Sequence, residues 1–282
     1  YDLNISRIKK LSKIYNVKWT KNIKDIKKNS ENIIISSPTI SHFNYIKIFK
    51  DKNIFVEKPL TNNLEQALKL KKILNKQLQC GFIERFNAAI PILKDFSKKN
   101  KIISMNFVRT DKLSQRIKDV NVILDLMIHD IDLSIYFNGK VKSISAYGFK
   151  KAKQISYAKA ILYHQNKTIS CLEASKITQK KVRNISFTSA EAFIDSNLLT
   201  KEILINTQTN LNTGKNNQKT QNKLVINSKQ EKVLVSQNEA LKAELEFFIN
   251  KKNKNSGYPN LNESIYNLKI AKKIENEINK KL

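Results

Sequence analysis

The sequence predicts an α/β protein in two parts: a first part on a parallel sheet, then an α+β part with a large, mainly antiparallel open sheet. Three observations predict it. Short apolar runs alternate with helical periodicity up to about residue 85, which is the grammar of βαβ units. After that point one helix is followed by a succession of strand-like segments. The 282 residues suffice for two domains, and we place the boundary so that 1–85 and 86–282 are the two units.

The elements follow in order. Ile5, Ile8, Leu11 and Tyr15 recur every three or four residues, as on one helix face. Ile33, Ile34 and Ile35 form a continuous apolar run, expected of a strand covered on both faces. Ser36-Ser37-Pro38-Thr39 ends it, and a helix follows through His42, Tyr45, Ile46 and Phe49. Ile54-Phe55-Val56 is a second strand, and Thr61 is the expected cap of a helix carrying Leu64, Ala67, Leu68 and Leu74. Gln79 to Phe82 is a third strand. Beyond it come a helix over Ala88 to Phe96, a strand over Ile102 to Arg109 and a helix across Val122 to Phe137. Strands are expected at Val141 to Gly148, Ala158 to Tyr163, Thr168 to Ser175, Val182 to Thr188 and Lys201 to Thr207, with a turn at Asn166. Asn210 to Asn222 reads as a polar loop. Two amphipathic helices, Glu239 to Asn250 and Leu261 to Ile278, close the chain, and the last is expected to pack back on the first unit.

The formal net charge of +28 invites a nucleic-acid reading. The lysines argue against it, because pairs such as Lys9-Lys10, Lys98-Lys99 and Lys280-Lys281 are spread along the whole chain. Aromatic residues are not interleaved with them as a stacking platform requires. Lysine, asparagine and isoleucine all have A/T-rich codons, which accounts for the composition without a ligand. Cys80 and Cys171 are too few for a disulfide framework and lack metal-ligand spacing, so both are expected as reduced core thiols. No apolar run is long enough to cross a bilayer, and the expected compartment is the cytoplasm.

Two constellations carry chemistry. In an open α/β sheet ligands bind beyond the carboxyl ends of the strands. There lie Ser36-Ser37-Pro38-Thr39-Ile40-Ser41-His42 and Glu57-Lys58-Pro59. Lys58 on that rim can donate to a substrate oxygen; the plain alternative is a strand-to-helix corner with a solvated lysine. A cis Lys58–Pro59 bond is open at this stage. The second is "ILDLMIHDIDL", where Asp125, His129 and Asp132 share one face of a regular helix. A carboxylate four residues before a histidine can fix its tautomer and raise its basicity, as a general base requires. A surface ion pair is the plain alternative. A metal site lacks a second ligand cluster. His164, at a hairpin end, reads as structural.

Taken in order, "IIISSPTISH", "NIFVEKPL", "GFIERFN" and "NVILDLMIHDIDL" resemble the successive motifs of the Gfo/Idh/MocA oxidoreductases. "ISFTSAEAFIDSN" and "NEALKAELEFFIN" resemble later segments of that family. The resemblance implies a Rossmann domain, then an α/β domain with an open sheet, and hydride transfer between NAD(P) and a sugar or polyol carbon. It makes Lys58 the catalytic lysine and Asp125 and His129 an acid–base pair. Ser37, Pro38, Thr39, His42 and Glu57 match cofactor-contacting positions, and Asp2 matches the acid on the adenosine ribose. An acid there favours NAD over NADP, since it repels a 2′-phosphate.

The chain departs from the pattern at its start. None of its five glycines forms G-x-G-x-x-G, and the expectation is a chain that begins mid-protein, without the first strand and glycine loop. Asn121 and Ala192 stand where the family usually has glycine. "GFIERFNAAI" and "RTDKLSQRIKDVNVILDLMIHDIDL" resemble the branch that oxidises the 3-hydroxyl of UDP-N-acetylglucosamine and related nucleotide sugars. That implies substrate contacts at Arg85, Asn87, Arg109 and Arg116, the guanidinium groups suiting phosphate or carboxylate. The plain reading of Arg109 and Arg116 is a solvated loop. Inositol or another free sugar is an alternative substrate, a non-catalytic binding protein an alternative class, and a homodimer or homotetramer the expected assembly.

Overall fold

The computed structural model describes residues 1–112, 120–208, 228–250 and 259–282. Its first sheet has three parallel strands, β1 (Asn32–Ile35), β2 (Asn53–Glu57) and β3 (Leu78–Gly81), in that order. Helices α1 (Ile5–Tyr15) and α2 (Ile23–Asn29) precede it, α3 (Thr39–Ile48) joins β1 to β2, and α4 (Leu64–Ile73) joins β2 to β3. β1 is one of the two edge strands, and along it Ile33 and Ile35 are buried whereas Ile34 stays 48% exposed. The double-sided cover expected of that run is therefore one-sided. The cap of α4 is Asn63, whose side chain accepts from the Gln66 amide. Thr61, the expected cap, instead donates its hydroxyl to the Asn63 carbonyl.

A 3₁₀ turn (Ile83–Phe86) and α5 (Ala89–Lys99) lead to β4 (Ile102–Thr110). A π-helical turn (Ile123–Met127) runs directly into α6 (Ile128–Asn138). Next come β5 (Val141–Lys151), β6 (Gln154–His164), β7 (Ile169–Ser175), β8 (Val182–Ser189), β9 (Ala192–Asn197), β10 (Glu202–Gln208) and β11 (Ser228–Val233). The second sheet has eight strands in the order β11-β10-β9-β8-β4-β7-β6-β5, antiparallel throughout except for the β4–β7 pair. β9 and β11 were not expected as strands. The expected loop at Asn210 to Asn222 lies outside the described residues. His164 is a satisfied core histidine, its ring nitrogens bonded to the Gly139 carbonyl and the Ser170 hydroxyl. Cys80 is buried, but Cys171 is only half-buried on the outward side of β7.

Two helices close the chain, α7 (Ala240–Asn250) and α8 (Leu261–Asn279). α8 opens with a capping box between Asn260 and Glu263. It packs on α6 and β5 and also on α4 and β3, so it spans both sheets. Gly148 permits this approach: a Cβ there would lie 2.8 Å from the Tyr157 carbonyl oxygen and 2.9 Å from Ile278 Cγ2. One apolar cluster runs from Ile54 and Val56 through Met127 and Ile131 to Phe187 and Ile274. Burying each such side chain contributes about 1.5–3 kcal/mol.

Candidate active site

The carboxyl ends of β1 and β2 form one rim, and a histidine ties them together. His42 is 1% exposed, with Nδ1 2.9 Å from the Pro59 carbonyl oxygen and Nε2 2.8 Å from that of Ser37. It ties the loop after β1 to the loop after β2. The Ser37 hydroxyl pairs with Ser41 at 2.7 Å. α3 begins after Pro38 without a side-chain cap, so its first amides point out of the rim. Glu57 ends β2 beside Gly81, and burial pushes its carboxyl above the usual range, partly offset by Lys58. Asp2 is half-exposed, one oxygen accepting from the Asn4 amide.

Lys58 leaves this rim toward the second sheet, and its peptide bond to Pro59 is cis. Its ammonium donates to the Asp125 main-chain oxygen at 2.6 Å and to Asp125 Oδ1 at 3.1 Å. An ammonium has three donors, so one remains for a ligand oxygen. The other carboxylate oxygen of Asp125 is taken by Lys176, from the end of β7, at 2.9 Å. Lys176 also donates to the Val120 carbonyl oxygen at 3.0 Å.

His129 is 8% exposed, and its Nδ1 is buried with no hydrogen-bond partner among the described residues. Phe82 meets the ring edge-on, centroids 6.2 Å apart. Burial, then Lys58, Arg109 and Arg183, hold its pKa well below the ordinary 6.5, so the ring is neutral at neutral pH. The expected Asp125–His129 pair is not formed. Asp125 sits on the π-helical turn, whose wider repeat breaks the i,i+4 alignment, and two ammonium groups hold its carboxylate. Asp132 does not join it on a shared face either; it accepts from Arg85 twice at 2.7 Å and from Asn267 at 2.6 Å.

The substrate residues expected near this point divide. Arg85 is locked on Asp132 and stacked on Tyr136, 4.7 Å from the ring centroid. The Asn87 side chain donates to the Leu198 carbonyl and accepts from the Ala89 amide. Arg109 is 1% exposed in β4, bonded to both oxygens of Asp130 and to Glu84 at 2.6 Å. It is neither solvated nor open to substrate. These three are internal ties, because buried charged and polar groups must be paired. Arg116 lies outside the described residues. Asn121 uses its amide oxygen to cap the π-helical turn and its nitrogen to hold Glu275 at 3.0 Å. Ala192 opens β9 and donates its amide to the Ser189 hydroxyl. Sequence reasoning missed Lys176 and Arg183, whose only signal is strand register.

A parallel sheet thus carries an acid, a helix amino end and a lysine on its carboxyl rim, and a buried neutral histidine lies in the second unit. Residues 1–84 match the model of the Gfo/Idh/MocA oxidoreductase family, NAD-binding Rossmann fold. A curated relative, UDP-N-acetylglucosamine 3-dehydrogenase of Acidithiobacillus ferrooxidans, is 26% identical over 163 residues, 54% of this chain and 51% of that protein. The chain thus matches about half the length of that relative. The solved structure of UDP-N-acetylglucosamine 3-dehydrogenase GnnA from the same organism superposes with a TM-score of 0.86 at 21% identity, over 98% of this chain and 88% of that one. Levoglucosan dehydrogenase in complex with NADH and levoglucosan superposes at 0.82 with 12% identity, over 100% of this chain and 87% of that one. At those identities the two structures establish the fold. Among the described residues no helix is long and apolar enough to cross a membrane, and no cluster suits a metal ion.

The residues present fit NAD. The outward amides of α3 beside a serine and a threonine hydroxyl suit the nicotinamide ribose, and the Asp2 carboxylate suits a ribose diol.

Proposed function

We propose that this protein transfers hydride between NAD and a sugar carbon, and that the sugar is a nucleotide sugar of the UDP-N-acetylhexosamine class oxidised at its 3-hydroxyl. The convergence of Lys58 and the buried, neutral His129 beside the sheet rim carries this reading. The matched relatives support it. NAD held at this rim would supply the hydride acceptor in the oxidative direction. His129, neutral and with a free ring nitrogen, takes the hydroxyl proton. The remaining donor of Lys58 binds the same oxygen and stabilises the charge that develops on it. Asp125 seats Lys58 instead of orienting His129. Ser37, Pro38, Thr39, Glu57 and Asp2 hold the cofactor, so residues 1–85 serve NAD and 86–282 the sugar.

The protein acts in the cytoplasm as a homodimer or homotetramer. Exposed Tyr147, Phe149, Ile161, Ile169 and Phe193 lie on the outward face of the large sheet, which a second copy would cover. The test is nicotinamide absorbance in the full-length protein with UDP-N-acetylglucosamine, its uronate and inositol. Reduction of NAD by the nucleotide sugar, abolished in His129→Ala, is expected. Turnover that survives His129→Ala would overturn the assignment, and turnover confined to inositol would move the substrate class.

A further inference from the structure

Arg183 stands apart from the other charged groups of the site. It pairs across the strands with Arg109, β8 against β4, so both side chains leave the same face of the sheet toward Glu84 and Asp130. Arg109 has taken the good acceptors: both Asp130 oxygens and Glu84 Oε1. Arg183 is left one long contact, 3.4 Å from its Nη1 to that same Glu84 oxygen. Its Nε is buried with no partner, while the side chain as a whole keeps 26% exposure. A guanidinium has five donors, and a buried one without an acceptor is costly.

The charges around the reaction point do not cancel. Lys58 and Lys176 share Asp125, and Arg109 and Arg183 face Glu84 and Asp130. Four cations therefore share three directly paired carboxylates, with Glu57 beside Lys58 pushed by burial toward its neutral form, and Arg183 has the longest of these pair contacts. Its field reaches His129, where with Lys58 and Arg109 it disfavours the protonated ring.

We infer that Arg183 binds an anionic oxygen group of the substrate, a carboxylate or phosphate borne by the sugar whose hydroxyl is oxidised. This deepens the proposed function and rests on it. A bidentate oxyanion would give the buried Nε an acceptor and complete the charge balance. It would also offset the positive field on His129, so the histidine becomes a better proton acceptor when such a substrate is seated. The binding arginine is therefore on β8, in place of the buried Arg109 of β4.

The experiment is calorimetric binding to the full-length protein, with N-acetylglucosamine as the neutral probe, UDP-N-acetylglucosamine, and the uronate of the latter. Arg183→Gln is expected to weaken the charged probes by about tenfold to a hundredfold and leave the neutral one unchanged, with partial recovery in Arg183→Lys. Loss for the uronate alone makes the sugar carboxylate the partner, and equal loss for both charged probes makes it the diphosphate. Equal loss for charged and neutral probes, no loss, or a parent protein that does not prefer a charged probe overturns the inference. Turnover is recorded in parallel. Selective loss of binding without turnover by any probe would keep Arg183 and sink the dehydrogenase reading; normal turnover with unchanged binding in Arg183→Gln would do the reverse.

Discussion

The Lys58 ammonium donates to Asp125 twice, 2.6 Å to the main-chain oxygen and 3.1 Å to the carboxylate. The lysine comes from the parallel sheet and the aspartate from the π-helical turn against the large sheet, so this contact fixes how the two halves of the site meet. Lys58→Met is expected to lower kcat by about 10²- to 10⁴-fold, the usual worth of a positioned proton-handling group. With a fifth of the side chain exposed, Tm should stay within a few degrees. Steady-state kinetics and a melting curve check both parts.

Lys176 holds the other Asp125 oxygen and is itself only 8% exposed. Lys176→Met is expected to lower kcat about tenfold without changing the KM for NAD, because it loosens the seat of Lys58. The double variant with Asp125→Asn should be no worse than the worse single one, since residues in one network are not additive. Independent, multiplying effects would place Lys176 outside the site.

The pH dependence has a definite sign. In the proposed reaction His129 must be neutral to accept a proton, and burial with the nearby cations holds its pKa well below 6.5. The acid limb of kcat/KM should therefore fall well under pH 6.5, as read from a rate profile. For stability the folded pKa is the lowered one, so the histidine's contribution is complete above 6.5. It erodes as pH falls from 6.5 through the folded value, because the unfolded chain binds the proton first.

Glu244 on α7 behaves oppositely. It is 1% exposed, and neither carboxylate oxygen has a hydrogen-bond partner among the described residues. Burial, then Glu57 and Asp132, raise its pKa to about 8. Its folded pKa is above the unfolded 4.5, so stability is complete below 4.5 and is lost as pH rises through about 8. Glu244→Gln should raise Tm at pH 8 and change little at pH 4.5, the gain accruing at about 1.4 kcal/mol per pH unit between.

Arg109→Met should cost about 3–5 kcal/mol of stability, since it strands Asp130 and Glu84 as buried carboxylates. Denaturant unfolding measures this. A cost under about 1 kcal/mol, the range of a surface pair, would contradict the internal role.

The parallel sheet was legible because its strands are local apolar runs followed by turn residues. Lys58 and His129 were singled out because each sits in a short continuous motif, and in the structure the Lys58 charge acts on the His129 ring. The Asp125–His129 pair was misread because a regular helix was assumed across a π-helical turn, whose extra residue leaves no mark in the periodicity. Lys176 and Arg183 could not be read: they reach the site through the register of β7 and β8, far along the chain from the motifs they serve. Arg109 was read as a ligand contact because a guanidinium at a strand end looks alike whether solvent or two carboxylates surround it. β9 and β11 were missed because Ala192–Asn197 and Ser228–Val233 are short and largely polar, and pairing with neighbours decides them.

The ring of His42 is a yoke. It grips the carbonyl of Ser37 with one nitrogen and that of Pro59 with the other, so the segment proposed to meet the dinucleotide and the segment that carries the lysine share one crossbar. Damage at residue 42 would slacken both reins together, and the grip on the cofactor and the speed of proton handling would decline in step.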